Sequence, residues 1–158
     1  MHAERSWDVV ETPIGPLTLE AGPRGLAALH FPGREPELDP QARDPEALAS
    51  AAAQLREHFA GERRRFDLEL DLVGTPLQRA VWERLQAIPY GETITYAQLA
   101  DELGRPNAAR AVGAAVGRTP VPIVVPCHRV VGSDGSLTGY GGGLERKRAL
   151  LELEQGLG

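Results

Sequence analysis

Apolar and charged residues alternate along Phe66-Asp67-Leu68-Glu69-Leu70-Asp71-Leu72, the spacing of a strand with one buried face. Shorter apolar runs over Trp7 to Thr12, Leu17 to Glu20 and Leu26 to Phe31 also read as strands. Ile14-Gly15-Pro16 and Gly22-Pro23-Arg24-Gly25 supply the turns between them. Prolines at 32, 36, 40 and 45 mark residues 32–45 as a surface connection. Beyond it, Leu48, Ala52, Leu55 and Phe59 recur at helical spacing until Gly61, with Asp44 as N-cap and Pro45 in the first turn. The first 73 residues therefore predict a small antiparallel sheet with one covering helix, and no chemistry is visible in them.

From Gly74 onward the period changes to that of helices. Thr75-Pro76-Leu77-Gln78 is a capping box that opens a helix through Leu77, Val81, Leu85 and Ile88. A second box, Thr95-Tyr96-Ala97-Gln98, starts a short helix that Gly104 ends. Arg105-Pro106-Asn107 begins another, running to about Val116. The pair is a helix-turn-helix candidate, and an ordinary helical hairpin has the same pattern. Val130 to Tyr140 reads as a hairpin-like excursion with Ser133-Asp134-Gly135-Ser136 at its tip. Gly141-Gly142-Gly143 then leads into a last helix, Leu144 to Leu157, with Leu150, Leu153 and Leu157 inward. The expected class is α+β: a supportive N-terminal sheet-plus-helix subdomain over residues 1–73 and a helical C-terminal subdomain over 74–158.

Composition narrows the function classes. With 42% hydrophobic and 25% charged residues the chain reads as globular, and no apolar stretch approaches the ~20 residues of a membrane span. Met1-His2-Ala3-Glu4-Arg5 lacks the basic-then-apolar form of a signal peptide, and one cysteine makes no internal disulfide. A cytoplasmic location is the expectation. His2, His30, His58 and His128 are scattered and no second thiol exists, so neither a metal nor a cofactor is expected. The net charge of −5 argues against a nucleic-acid partner, but its distribution does not. Arg105, Arg110, Arg118 and Arg129 fall in a stretch with no acid between Arg105 and Ser133, a local +4. Phosphate responds to the facing patch more than to the total.

The single cysteine lies in Pro126-Cys127-His128-Arg129-Val130-Val131. A lone buried cysteine is most often a small apolar filler. A thiol beside an imidazole is also a candidate nucleophile, because the thiolate is the reactive form and a base makes it available. The preceding run, Pro120-Val121-Pro122-Ile123-Val124-Val125, predicts a stiff, extended approach that fixes the thiol in place. In an extended segment adjacent side chains point apart, so His128 would reach Cys127 through a water.

The hexapeptide resembles the active-site signature of the O6-alkylguanine-DNA alkyltransferases, the methylated-DNA–protein-cysteine methyltransferase family. The resemblance covers nearly the whole chain and is strongest from Gly74. It implies irreversible transfer of an alkyl group from guanine O6, and less efficiently from thymine O4, to Cys127. The transfer would follow minor-groove binding of duplex DNA and base flipping, in a monomer that acts once and needs no cofactor or membrane.

The same resemblance assigns roles. His128 would help the thiol and Glu154 would orient His128, with Glu152 as a sequence competitor on another helix face. Tyr96 would meet the target nucleotide and the N3 edge of its base, stabilising charge on the departing guanine. Arg110, on a helix whose outer face is alanine and glycine, would fill the space left by the extruded base. Ala97, Arg105 and Ser133 would add DNA contacts. Backbone groups of Cys127 and Val130 would read the base edge, Tyr140 would wall the pocket and Pro122 would line its entrance. Lys147 matches a family lysine, although Arg146-Lys147-Arg148 equally suits a solvated or phosphate-facing role. Gly141 stands where a small serine or alanine is usual. Some relatives hold a structural zinc in the N-terminal half, and the thiols for it are missing here.

One departure is Thr119, where the family usually has asparagine. A threonine hydroxyl is shorter than an amide and lacks its two-ended bridge, so the joint between helix and active-site loop is expected to be looser. Three other functions compete: a non-enzymatic relative that binds alkylated bases and flags them, a helix-turn-helix regulator, and a turning-over cysteine hydrolase. The first lacks the reactive cysteine, and the second leaves residues 126–131 unexplained. The third needs a hydrolysable thioester, whereas an S-alkyl thioether has no comparable exit.

Overall fold

The structure is a computed structural model that describes residues 5–156. The expectation for the first residues and for Leu157 therefore lies partly outside the described residues. The chain forms two compact units, Met1–Leu72 and Val73–Gly158. Together they make an α+β fold.

In the first unit, β1 (Ser6–Val10), β2 (Leu17–Gly22) and β3 (Gly25–His30) form an antiparallel meander in that order. Its register sets Asp8 opposite Leu19 and Leu19 opposite Leu29, with a bulge between Glu20 and Ala21. Val10, Leu17, Leu19 and Leu29 are buried, as is Phe31 just past β3. Helix α1 (Ala49–Phe59) buries Ala51, Ala52, Leu55 and His58. Asp44 does not cap it. The Asp44 carboxylate accepts from the Ala47 N–H at 3.3 Å and closes the turn before α1 instead. Inside the connection a 3-10 turn, Pro40–Ala42, is capped by the Asp39 side chain.

Residues 66–72 are not the strand that their alternation predicts. Leu26 and Leu70 form only an isolated bridge, held by Leu26 N–H to Glu69 O at 2.9 Å and Asp71 N–H to Leu26 O at 2.8 Å. The Gln54 side chain of α1 takes the remaining backbone role, donating to Asp67 O at 3.0 Å and accepting from Asp67 N–H at 2.8 Å. A side chain has replaced a neighbouring strand, so alternation survives where the ladder does not.

In the second unit both capping boxes are present. Thr75 and Gln78 cap α2 (Pro76–Leu85), and Thr95 and Gln98 cap α3 (Tyr96–Glu102), each by reciprocal side-chain and backbone bonds. Helix α2 ends at Leu85 rather than Ile88. Gly104 turns the chain after α3 with φ of 72°, a conformation that costs glycine nothing. Helix α4 (Ala109–Gly117) starts later than expected, because Arg105 to Ala108 closes as a turn with Ala108 N–H on Arg105 O at 2.9 Å. The Trp82 indole of α2 donates to Ala115 O of α4 at 2.9 Å in a buried joint.

Two short elements were not foreseen. β4 (Ile94–Thr95) pairs in parallel with β5 (Val130–Val131), Ile94 against Val130 and Thr95 against Val131. The expected hairpin over 130–140 is thus absent. Its tip is a tight turn, Gly135 N–H on Gly132 O at 2.8 Å and Gly132 N–H on Ser136 O at 2.9 Å, with no returning ladder. Helix α5 (Leu144–Glu154) buries Lys147, Leu150, Leu151 and Glu154 along one stripe, while Leu153 is only half-buried.

Candidate active site

The approach to Cys127 is tightly turned rather than extended. Val125 N–H reaches back to Val121 O at 2.9 Å, and Ile123 sits at φ of 76°, the one non-glycine residue there among the described residues. A β-branched side chain in that region costs on the order of 1–3 kcal/mol and persists only where its surroundings enforce it. Residues 121–131 are all buried. Cys127–Arg129 then forms a 3-10 turn, closed by Val130 N–H on Cys127 O. Cys127 and His128 therefore do not share an extended segment in which adjacent side chains point apart.

His128 is fully buried, and its Nε2 lies 2.8 Å from Glu154 Oε2 on α5. Glu152 is exposed, which removes it as the competitor. The same carboxylate is held by a residue that the sequence pattern placed elsewhere. Arg129 donates Nε to Glu154 Oε1 at 2.8 Å, Nη2 to Oε2 at 2.9 Å and Nη1 to Ile88 O at 2.6 Å. Its guanidinium also lies 5.7 Å from the Tyr90 ring centroid. Arg129 is thus a buried clamp on Glu154 and not part of a phosphate-facing patch. Of the local +4, three arginines remain exposed: Arg105, Arg110 and Arg118.

A second group of side chains surrounds the sulfur. Tyr140 lies near enough to Cys127 for the sulfur to add to the rise that burial causes in the phenol's pKa. Tyr96, the first residue of α3, donates its hydroxyl to Thr138 O at 3.2 Å. Lys147 donates to the same carbonyl at 2.8 Å and to Gly139 O at 3.5 Å. Lys147 is fully buried, so the solvated or phosphate-facing reading of it is wrong. The β4–β5 pair explains why Tyr96 is here at all: Thr95, its N-cap, is in register with Val131, just past the cysteine turn. Val130 and Pro122 are buried.

The remaining expected contacts lie outside this cluster. Ala97, Arg105, Arg110 and Ser133 are all exposed, on α3, the intervening turn, α4 and the turn at 132–136. The exposed face of α4 is Arg110, Ala111, Ala114 and Gly117. Gly113 is turned toward α3, where an added Cβ would lie 3.6 Å from the Tyr96 ring. Among the described residues, no group of three or more His, Cys, Asp or Glu could hold a metal, and no helix is long and apolar enough to cross a membrane.

Burial pushes the Cys127 thiol from an ordinary 9.0 up to about 11. A hydrogen bond with Thr119 and the Lys147 ammonium pull the other way without overcoming it. Burial also raises both tyrosines, Tyr140 well above its usual value, and lowers Lys147. At neutral pH the resting nucleophile is therefore the thiol. Because the folded value is the raised one, its stability contribution is complete below pH 9.0 and is lost as pH climbs toward about 11. Labelling of the native protein by iodoacetamide is expected to be slow at neutrality and to accelerate through that window; a plateau reached by pH 8 would contradict it.

A buried cysteine in one turn with a histidine that pairs with a buried glutamate, in a unit that also carries two short consecutive helices, defines a thiol-bearing protein with a helix-turn-helix-like face. Comparison with known sequences makes the class specific. Residues 76–156 match the DNA binding domain of 6-O-methylguanine DNA methyltransferase, and residues 6–72 match its ribonuclease-like domain. The chain belongs to the 6-O-methylguanine DNA methyltransferase family. It is 53% identical over 148 residues to the methylated-DNA–protein-cysteine methyltransferase of Mycobacterium tuberculosis H37Rv, covering 92% of this chain and 90% of that protein. The Methanosarcina barkeri protein of the same name is 45% identical over 152 residues, 94% and 96% of the two chains. The crystal structure of Mycobacterium tuberculosis OGT in complex with DNA superposes with a TM-score of 0.87 at 51% identity, covering 96% and 94%.

Proposed function

We propose that this chain repairs duplex DNA by moving an alkyl group from guanine O6 to the sulfur of Cys127, once and irreversibly. The observation that carries the reading is the buried Cys127 turn, with His128 and Glu154 in contact behind it and Tyr96, Tyr140 and Lys147 around the sulfur. In the transfer an S–C bond forms as the O6–C bond breaks, and the electron pair of the broken bond leaves with the guanine. The thiol proton, relayed by way of His128, balances the proton that the restored base acquires. Lys147 lies close enough to favour the sulfur anion, and the Tyr96 phenol, turning from Thr138 O, would donate to the departing base.

Because Cys127 is buried, a base still stacked in a duplex does not reach it, which supports extrusion of the target nucleotide before chemistry. Exposed Arg110 on the small-residue face of α4 is the side chain available to take its place in the stack, with Ala97, Arg105 and Ser133 along the backbone. Val130 and Pro122 would shape the pocket that receives the base. Thymine O4 presents the same bond to the sulfur and is a second, slower substrate. The N-terminal unit, residues 1–73, is supportive.

The test uses duplex DNA with one labelled methyl group on guanine O6. Intact protein is expected to gain a single methylene mass on the peptide containing Cys127, with at most one equivalent per molecule. Binding without any mass change would favour a lesion-flagging protein instead, and catalytic release of product would favour a hydrolase.

A further inference from the structure

Charge in the N-terminal unit is unevenly spread, and the proposed alkyl transfer uses none of it. Residues 1–72 hold 14 acidic side chains against 8 arginines and no lysine, so the unit as a whole repels phosphate. Yet 4 of those 8 arginines, Arg56, Arg63, Arg64 and Arg65, fall within ten residues at the C-terminal end of α1 and the turn after it. Of the others, Arg43 pairs with Asp8 at 2.9 Å and Arg5 lies 3.9 Å from Glu20. Arg24 and Arg34 are exposed and stand apart in the sequence.

The turn after α1 is a braced platform. Gly61, at φ of 74°, closes the helix with its N–H on His58 O at 3.1 Å, and the Glu62 N–H bonds to Glu57 O at 2.9 Å. Backbone donors thus satisfy these last carbonyls, and the arginine side chains are not needed to cap them. Arg63 folds back on the helix, its Nε donating to Glu57 Oε1 at 2.7 Å and its Nη1 to Arg65 O at 2.9 Å. That pair neutralises Glu57. Just beyond, the Phe66 ring lies against fully buried His58, with centroids 5.4 Å apart. Arg64 and Arg65 are therefore held between two anchors with both side chains exposed, and Arg56 is exposed on the same last turn of α1 as Glu57. Exposed Glu62 and Asp67 bracket the turn, which leaves the exposed guanidiniums in excess.

We propose, resting on the reading above that the chain binds duplex DNA, that Arg56, Arg64 and Arg65 form a second phosphate-binding surface, carried by the N-terminal unit. Guanidinium forks match pairs of phosphate oxygens, and a braced backbone loses little freedom when they engage. Such contacts add affinity and carry no sequence information. The unit in which no chemistry is visible thereby takes a direct part in holding DNA.

The experiment measures binding of the full chain to an unmodified duplex of about two helical turns against salt. The wild type is compared with Arg64→Ser plus Arg65→Ser, and with Arg24→Ser plus Arg34→Ser. The second pair removes the same charge from exposed positions of the same unit outside the platform. The platform variant is expected to lose about two from the salt slope, and the control pair to keep the wild-type slope. All three proteins should melt together, because the replaced side chains are exposed. If the platform variant melts early, Arg56→Ser carries the comparison, with an expected loss of about one. A platform variant with the wild-type slope overturns the proposal. So does a control pair that loses as much, since net charge alone would then set the slope. An unmoved slope together with lost self-association would assign these arginines to an acidic face of a second copy and also overturn it. Methyl uptake from O6-methylguanine DNA is followed in parallel. A platform-dependent slope in a wild type that never takes up methyl leaves this inference standing and sinks the alkyl-transfer reading; uptake with an unmoved slope does the reverse.

Discussion

Cys127→Ser is expected to lose methyl uptake by at least about a thousandfold while keeping its affinity for DNA. Sulfur does two things here that oxygen does not. It ionises within reach of neutral pH even when burial pushes it to about 11, and it is polarisable enough to attack saturated carbon in line. A serine hydroxyl would have to lose its proton from a far higher starting point in the same buried turn. The cluster of His128 and Glu154 can take up part of one proton's cost, but not that difference. The variant should fold, because the change is nearly isosteric. Methyl uptake by intact mass, with DNA affinity measured alongside, separates lost chemistry from lost binding. A serine variant that clears the lesion at the wild-type rate would remove the basis for the proposed function.

What was legible in the chain follows the distance over which each device acts. The two capping boxes join residues three apart, so Thr75 with Gln78 and Thr95 with Gln98 could be read directly and are present as written. The β1–β3 meander was legible for the same reason, since tight turns set neighbouring strands side by side. Pairing of Glu154 with His128 came from resemblance and not from spacing, and the contact exists. The misses are nonlocal. Nothing near Ile94 announces a parallel partner at Val130, although that pair puts Tyr96 beside the cysteine turn. Residues 66–72 kept strand alternation while their backbone bonded to Gln54, a substitution invisible to period analysis. Thr119 was legible as a departure, but only the fold shows that its hydroxyl is turned back onto Val116 O of α4.

Arg129 was misread by charge counting, and it carries the largest expected effect on stability. Its neighbours in sequence suggested a phosphate contact; its position makes it a fork on Glu154 with a third bond to Ile88 O. Removing it would leave a buried carboxylate without its cation, a loss of about 3–5 kcal/mol. For a chain of this size that corresponds to a fall in Tm of roughly 10 °C or more. Arg129→Ala is therefore expected to melt early and to transfer methyl poorly, while the salt dependence of DNA binding by its folded fraction stays unchanged. Arg105→Ala, at an exposed position proposed to lie along the backbone, should do the opposite, keeping its Tm and reducing the salt slope by about one. Stability and chemistry can then be pulled apart at the cluster itself. In Arg129→Met with Glu154→Leu, the pair is replaced by apolar side chains of similar reach, which commonly recovers much of what a single deletion costs. Tm should rise well above that of Arg129→Ala, yet transfer should remain low, because His128 then lacks the carboxylate that orients its ring. If the double variant recovered transfer together with Tm, Glu154 would be a packing residue, and the contact with His128 would have no part in the reaction.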